Sequence, residues 1–302
     1  MIRVNFREDW REFVEAEAPK FGLRYSAAST LEQNTIAFLN ARRRNVPRRP
    51  RVVHESREFL AQNIGQHAAD YLALKKLITE GGDLTPYLSR DVLRSRTDEN
   101  DKTLNAWGLH HLHFRPSGTR DVLFGRITHS AVFVVKFLPH GWAHPETWVD
   151  SSLLRILEDN WPESASRELR GIAPEALTPD QMIALRKNNV NFAVAMQDGK
   201  AHVGAELGIT CAGRCLQDLV DCDRIFAELG RTQQIVEQNE TAIRSALNVP
   251  LPGELWIRMR FEEDGAWLYE ATRNVRIALK YRTEATDDQQ TTDLRQGNFK
   301  MN

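Results

Sequence analysis

The sequence predicts an α+β fold with N-terminal helices, a three-stranded antiparallel meander, and a second α+β unit of hairpin, helix and hairpin. Three observations support this fold class. Three apolar segments between residues 109 and 138 are joined by very short links, which only antiparallel neighbours allow. The apolar residues of 54–80 recur at helical spacing. Asp-Gly pairs at 198–199 and 264–265 each separate two apolar runs, as in β-hairpins.

The composition is that of a globular protein without a strong overall charge. The 302 residues are 41% hydrophobic and 27% charged, with a formal net charge of −1. Because no global field marks the chain as a nucleic-acid binder, any basic partner surface is local. The first residues lack a signal-peptide pattern, and no segment has the ~20 apolar residues of a membrane span. We therefore expect a cytoplasmic protein with no membrane partner.

Residues 1–51 form the N-terminal region. A short strand is expected at Ile2–Phe6, and Ser29-Thr30-Leu31-Glu32 is a helix start. The segment Ala41–Arg51 then holds six arginines, with prolines that break a helix, and we expect an exposed basic linker. Two interpretations stay open for it. It is either a solvated connection or a phosphate-binding segment, since clustered guanidinium groups suit bidentate phosphate contacts.

Residues 52–165 are expected to form a domain of two helical segments, an antiparallel sheet and a further helix. The first helix has Ser56 as N-cap and ends at Gly81-Gly82. The expected elements are, in order, a helix at His54–Glu80, a shorter helical or looped piece at Asp83–Arg96, strands at Leu109–Phe114, Asp121–Ile127 and Ala131–Leu138, and a helix at Trp148–Glu158.

The prolines between Pro162 and Pro179 suggest a boundary, after which residues 180–281 form the second unit. Its expected elements are a hairpin of Val190–Met196 and Ala201–Ile209, a helix at Cys215–Leu247 broken near Gly230, and a hairpin of Glu254–Phe261 and Ala266–Val275. The polar residues 282–302 are expected to be a disordered tail. The 215–247 helix is the candidate surface for a protein partner or a homodimer.

Histidines are concentrated in one region. The stretch WGLHHLHF at 107–114 contains three, and six of the nine histidines lie between His110 and His144. Since side chains alternate along a strand, His111 and His113 share one face with Leu109. His110 lies on the other face with Leu112 and Phe114, a face that looks like core, so we interpret His110 as a buried structural residue.

The histidines and nearby arginines fit acid–base chemistry on a phosphodiester. RNA cleavage without a metal needs a base for the 2′-OH proton, an acid for the leaving oxygen, and cations for the transition-state charge. Histidine suits the first two roles because its unperturbed pKa is near 6.5. The candidate catalytic residues are His111, His113 and His140. The candidate phosphate-binding residues are Arg115, Arg120 and Arg126, beside the same strands, with Arg48 and Arg49 of the basic segment.

Other interpretations of the histidines stay open at this point. The pair His111 and His113 could hold a metal ion, with His140, His144 or Asp121 as third ligand, as in a metal-dependent hydrolase. The histidines could equally be satisfied core residues of a non-catalytic interaction module. The cysteines at 211, 215 and 222 lack zinc-site spacing and are interpreted as small buried hydrophobic residues. No cofactor is expected.

The element order of residues 55–145 also resembles a known family. Two helices precede three strands, which carry His111-Leu112-His113-Phe114, then Arg120-Asp121-Val122-Leu123-Phe124, then Val132-Phe133-Val134-Val135 and His140. This arrangement is similar to the RelE/ParE superfamily of bacterial toxins, and it implies a ribonuclease-like toxin or phage-defence protein whose sheet carries basic residues acting on RNA. The chain differs in its greater length, in histidine where the first strand of the family has arginine, and in its second unit. It is also similar to uncharacterised bacterial proteins, a likeness that implies no activity.

Overall fold

The computed structural model describes residues 1–88, 101–162, 166–262 and 265–277. Within them the fold is α+β, as predicted. The contacts divide the chain into two compact units whose segments alternate along the sequence. Unit 1 combines residues 1–19, 24–34 and the described residues from 222 onward, and unit 2 combines residues 20–23 and 35–221. The boundary drawn from the prolines at 162–179 thus falls inside unit 2, whereas the contacts divide the chain after residues 34 and 221.

The described elements are bounded as follows. The helices are α1 (Phe6–Glu17), α2 (Leu31–Arg44), α3 (Arg57–Ala61), α4 (Ala68–Glu80), α5 (Lys102–Trp107), α6 (Ser152–Asn160), α7 (Pro179–Lys187), α8 (Leu216–Gln238) and α9 (Glu240–Leu247). The strands are β1 (Ile2–Val4), β2 (Val52–Glu55), β3 (His110–His113), β4 (Asp121–Ile127), β5 (Ala131–Pro139), β6 (Ser166–Glu168), β7 (Val194–Ala195), β8 (Ala201–Gly204), β9 (Leu255–Glu262), β10 (Gly265–Glu270) and β11 (Val275–Ile277). None of these helices is long and apolar enough to cross a bilayer.

The main sheet of unit 2 has the strand order β2-β5-β4-β3. Strands β3, β4 and β5 are antiparallel neighbours, which confirms the predicted meander. Strand β2 adds a fourth strand, parallel to β5, with Val52 opposite Ala131. The sequence missed this strand because its partner lies far along the chain and its last two residues were assigned to the helix His54–Glu80.

The predicted helix His54–Glu80 is wrong in its first half. The chain is β-strand as far as Glu55, and Ser56 then caps the short helix α3, its hydroxyl accepting from Phe59 N at 2.9 Å. A turn at Asn63–Gly65, where the Asn63 side chain accepts from Gly65 N at 3.1 Å, separates α3 from α4. The end of α4 is as predicted, since Gly81 lies in the left-handed region with φ 76°. Of the expected helical piece at Asp83–Arg96, residues 85–87 form a single 3₁₀ turn and those from 89 onward lie outside the described residues.

Both faces of the main sheet are covered. Helices α3 and α4 pack on one face, where Leu112, Leu123 and Val134 belong to a buried cluster. Helix α6 packs on the other, against a cluster that includes Phe124 and Val135. Because the central strands are enclosed on both sides, polar groups reach solvent mainly where these strands begin and end.

The basic segment Ala41–Arg51 is only in part the exposed linker that was predicted, since Pro47, Arg48 and Pro50 are exposed. Helix α2 continues to Arg44, and both Arg44 and Arg51 are buried. Arg51 donates from Nε to the carbonyl oxygen of Thr128 at 2.8 Å and from Nη1 to that of Pro47 at 3.0 Å. These carbonyl groups hold the guanidinium inside unit 2, so charge alone did not keep the segment in solvent.

The smaller sheet of unit 2 has the order β6-β8-β7. Strands β7 and β8 pair antiparallel around the Asp-Gly turn, which confirms the predicted hairpin. In unit 1 the order is β1-β9-β10-β11, and the second predicted hairpin is confirmed as β9 with β10. Residues 263–264 of its turn and the predicted tail at 282–302 lie outside the described residues.

In unit 1, α1 covers one face of the sheet. Phe6, Trp10 and Val14 are fully buried there, and the Trp10 ring lies 5.0 Å from that of Phe261. The predicted break at Gly230 is wrong, because α8 continues to Gln238 and the next helix starts at Glu240. A single glycine costs a helix about 1 kcal/mol relative to alanine, which is too little to end it.

Candidate functional site

Two of the predicted catalytic histidines meet at one end of the main sheet. His113 is the last residue of β3, and His140 follows β5, its N–H donating to the carbonyl oxygen of Arg120 at 2.9 Å. The centroids of their rings are 5.0 Å apart. Both side chains are partly exposed. We call this group of His113, Arg120 and His140 the histidine end of the sheet.

The His113 ring is held by the turn between β3 and β4. Its Nδ1 accepts from Thr119 N at 3.0 Å and lies 3.2 Å from Thr119 O. Thr119 is itself fixed, because its hydroxyl donates to Asp121 O at 2.6 Å and accepts from Phe114 N at 3.1 Å. The neutral ring can therefore accept from the amide, and the charged ring can donate to the carbonyl, without moving far.

The His140 ring is oriented by a different contact. Its Nδ1 lies 2.6 Å from the carbonyl oxygen of Arg120, which can only accept, so Nδ1 carries the proton. The proton that His140 gains or loses is therefore the one on Nε2. The Arg120 side chain is exposed and makes no hydrogen bond or ion pair within the described residues. Its charge is available to a ligand.

His111 lies deeper than the other two predicted catalytic residues. It is 9% exposed, and its Nδ1 lies 3.4 Å from Asp101 Oδ2. Burial raises the pKa of Asp101, but the contact with His111 outweighs burial and the pKa is lowered to about 2. Trp148 stands edge-on to His111 at 5.0 Å and to His140 at 6.0 Å. His111 thus supports the histidine end through Trp148.

His110 is the structural residue that its strand position indicated. It is 7% exposed, and its Nε2 lies 3.1 Å from the carbonyl oxygen of Arg43. Burial lowers its pKa to about 4. His110 is therefore neutral near pH 7 and donates to this carbonyl.

The structure separates the five predicted phosphate-binding arginines. Arg115 and Arg120 lie at the histidine end, and Arg115 donates to Asp70 Oδ2 at 2.6 Å. Arg126 is six residues further along β4, about 20 Å away at ~3.3 Å per residue, and is largely buried. Arg48 pairs with Asp83 at 2.6 Å, and Arg49 contacts the His129 ring. Because β2 begins opposite the first residue of β5, these last two lie towards the other end of the sheet.

A histidine that the sequence did not single out lies on the opposite face of the same end. His67 Nε2 is 2.7 Å from Asp121 Oδ2, and its ring is stacked on Phe114 with centroids 4.3 Å apart. Asp121, a candidate third metal ligand from the sequence, is thus engaged with His67. No signal in the sequence could have found this pair, because its members are 54 residues apart and His67 was assigned to a continuous helix.

The other end of the sheet holds a buried cluster of Arg43, Arg126, Glu206 and Asp218, which we call the arginine–acid cluster. Arg43 donates from Nε to Asp218 Oδ1 at 3.1 Å and from Nη2 to Oδ2 at 3.0 Å. Asn105 Oδ1 accepts from the same Nη2 at 2.7 Å. Burial disfavours the charged form of Arg43, but Asp218 outweighs this effect and raises the pKa of Arg43.

Glu206 is the second carboxyl group of this cluster. Burial raises its pKa, although the charges of Arg43 and Arg126 act in the opposite direction. Burial also lowers the pKa of Arg126. Within the described residues, the buried Nη1 atoms of both arginines have no hydrogen-bond partner. Glu206 acts on the two arginines through its charge, and no sequence pattern linked these groups.

Among the described residues, no group of three or more His, Cys, Asp or Glu side chains is arranged to hold a metal ion. Cys215 and Cys222 are buried, as predicted, whereas Cys211 is exposed, so the prediction is wrong for that residue. Cys211 lies at a turn.

No protein-family model, curated protein or solved structure matches the chain. The resemblance to the RelE/ParE superfamily therefore stays a prediction, and the functional argument rests on the residues of this chain.

Proposed function

We propose that the histidine end cleaves RNA without a metal, with His113 and His140 as the acid–base pair. The observation that supports this proposal most directly is the 5.0 Å separation of the two rings. Each ring has its Nδ1 next to a backbone group, and Nε2 is the atom that would meet a substrate. General acid–base catalysis needs two such groups within reach of one phosphodiester.

The two rings favour opposite protonation states. Two positive charges this close repel each other, so the proposed reaction starts with only one of the two rings charged. In the proposed reaction neutral His140 takes the 2′-OH proton on Nε2, and the 2′ oxygen attacks phosphorus. The bond from phosphorus to the 5′ oxygen breaks, and charged His113 protonates the leaving oxygen. The products are a 2′,3′-cyclic phosphate and a 5′-hydroxyl end.

Arg120 is the proposed phosphate contact. Its backbone carbonyl orients His140 while its side chain is exposed beside it. A guanidinium in this position stabilises the extra negative charge of the phosphorane-like transition state. His111, held by Asp101 and edge-on to Trp148, acts as a positioning residue and does not itself transfer a proton.

The proposed setting is that of a bacterial toxin or phage-defence protein acting on RNA in the cytoplasm. A partner that controls such an activity would bind α8 and α9, which occupy the 215–247 segment proposed for a protein partner or a homodimer. Neither the setting nor the partner is needed for the chemical test.

The test is incubation of the purified full-length protein with end-labelled RNA, with and without EDTA. His113→Gln and His140→Gln are the test variants. His144→Gln is the matched control, since His144 lies four residues after His140 and pairs with Glu146 at 3.3 Å. We expect cleavage that survives EDTA, leaves a cyclic phosphate, and falls about 10²- to 10⁴-fold in each test variant.

A substrate with a single 2′-deoxynucleotide provides the second control. It lacks the attacking hydroxyl, so cleavage at that site should stop while neighbouring sites are still cut. Cleavage lost on adding EDTA would point to a metal-dependent hydrolase and overturn the proposal. Absence of cleavage in every lane would favour a non-catalytic interaction module.

A further inference from the structure

One face of the unit 1 sheet carries arginine and aromatic side chains in alternation. Along β9, Trp256, Arg258 and Arg260 face outward. They alternate with buried residues on the other face of the strand, which begin with Leu255 and Ile257. The face as a whole consists of Arg3, Trp256, Arg258, Arg260, Trp267, Tyr269 and Arg276, and we call it the arginine–aromatic face. Since α1 packs on the opposite side of the sheet, these side chains are not needed for the core of unit 1.

The members of this face contact one another across strands. Arg260 lies over Trp267 at 4.9 Å and over Tyr269 at 5.1 Å, and Arg276 lies over Trp267 at 5.2 Å. At the β1 edge, Arg3 lies over Trp256 at 5.1 Å. These cation–π contacts hold the guanidinium groups against the sheet and so reduce the entropy lost when a ligand binds.

Most charges on this face have no ion-pair partner in the part of the chain that the structure describes. Arg258 is neutralised by Asp9 and Glu12 of α1. Arg3, Arg260 and Arg276 make no ion pair or hydrogen bond within the described residues. The carboxylate on the same face, Glu262, accepts from Trp267 Nε1 at 2.9 Å. Three positive charges and the one negative charge of Glu262 therefore remain beside partly exposed rings, in a chain whose formal net charge is only −1.

We propose that the arginine–aromatic face binds single-stranded nucleic acid. Outward side chains stand about 7 Å apart along a strand and about 4.8 Å apart between strands. Unpaired bases can stack on such an array of rings and guanidinium planes, while the arginines neutralise the phosphates. A duplex hides its base faces and would gain only the phosphate contacts. The surface lies in unit 1 and does not depend on the catalysis proposed for the histidine end.

The test measures binding of a fluorescein-labelled oligouridine by anisotropy over a range of salt concentrations. The full-length chain carries His113→Gln and His140→Gln as its background, so that the oligonucleotide is not consumed. Arg260→Gln/Arg276→Gln removes two exposed charges, and Trp267→Leu removes one ring. The matched control is Arg231→Gln on α8, a 67% exposed arginine of the same unit that pairs with Glu228.

We expect the double arginine variant and Trp267→Leu each to weaken binding about tenfold or more. The salt slope of the arginine variant should decrease in magnitude by about 1.4, because each single-strand phosphate contact contributes about 0.7. The oligouridine affinity of Arg231→Gln should stay within about twofold of that of the parent, with the same salt slope. Equal melting temperatures of the variants and the parent establish that unit 1 is folded.

Several outcomes would overturn the proposal. The first is that the parent does not bind oligouridine, and the second is that the double arginine variant binds it as tightly as the parent. The third is that affinity falls in the double arginine variant but not in Trp267→Leu. Equal affinity for a duplex of the same length would also contradict it, as would displacement by polyglutamate or phosphatidylserine vesicles at matched charge. Loss of RNA cleavage in the His113 and His140 variants leaves this binding unchanged, so the two proposals fail separately.

Discussion

The two ends of the main sheet of unit 2 use the same residue types in opposite ways. Strand β4 has an arginine at each end, with Arg120 just before it and Arg126 near its close. At the histidine end, the titratable rings are partly exposed and contact backbone groups. In the arginine–acid cluster, Arg43 is buried against Asp218. Burial and the identity of the partner therefore decide whether a charged group is available to a ligand or locked into the fold.

The largest expected effects lie at the histidine end. His140→Gln retains a donor for the Arg120 carbonyl but has no titratable nitrogen. The rate of RNA cleavage should fall about 10²- to 10⁴-fold, while the free energy of unfolding changes by less than about 1 kcal/mol. Cleavage kinetics and urea denaturation on the same preparation measure both. A stability loss of about 3–5 kcal/mol, as large as that of a broken buried ion pair, would contradict the contrast between the two ends.

The next largest effect lies in the arginine–acid cluster. Asp218→Asn leaves the Arg43 guanidinium buried without its counter-charge, and such losses typically cost about 3–5 kcal/mol of stability. Urea denaturation of the variant measures the loss. Arg48→Gln is the matched control, because its pair with Asp83 is exposed and should contribute at most about 1 kcal/mol. Equal effects of the two substitutions would show that burial does not distinguish them.

His110 links this comparison to pH. Its pKa in the folded protein is about 4, below its ordinary value near 6.5, so on acidification the unfolded chain binds the proton first. The contribution of His110 to the free energy of unfolding is therefore complete above pH 6.5. It is lost as the pH falls towards 4, by at most about 3 kcal/mol. The free energy of unfolding measured across this window should be flatter in His110→Gln. Parallel pH profiles of the two proteins would contradict a buried neutral His110.

The smallest effect concerns Glu206. Because burial raises its pKa, its charged form is less favourable in the folded protein than in the unfolded chain. Its destabilising contribution appears as the pH rises through the ordinary range of a glutamate and above. Glu206→Gln should therefore increase the melting temperature modestly at neutral pH and leave it unchanged at low pH. A decrease at neutral pH would mean that the arginines need this carboxylate as a counter-ion.

Part of the candidate site could be predicted from the sequence. The closeness of His113 and His140 followed from three strands joined by short links. In such a meander the first and third strands run in the same direction, so their last residues lie at the same end of the sheet. The buried state of His110 followed from side-chain alternation. The contacts with Thr119, Trp148 and Asp101 did not follow, because alternation gives the face of a residue and not the atoms above it.

The sequence by itself determined the α+β class, the meander, both hairpins and the histidine-rich strand, because their signals are local: period-two alternation, short links and Asp-Gly turns. Only the tertiary structure decided that β2 pairs with β5, that Arg43 meets Asp218 across 175 residues, and that Arg126 is half-buried while Arg120 is exposed. Such contacts depend on which distant segments pack together. The spacing of residues along the chain carries no information about that packing. Arg120, which is exposed, and Arg126, which lies near Glu206, therefore look alike in the sequence.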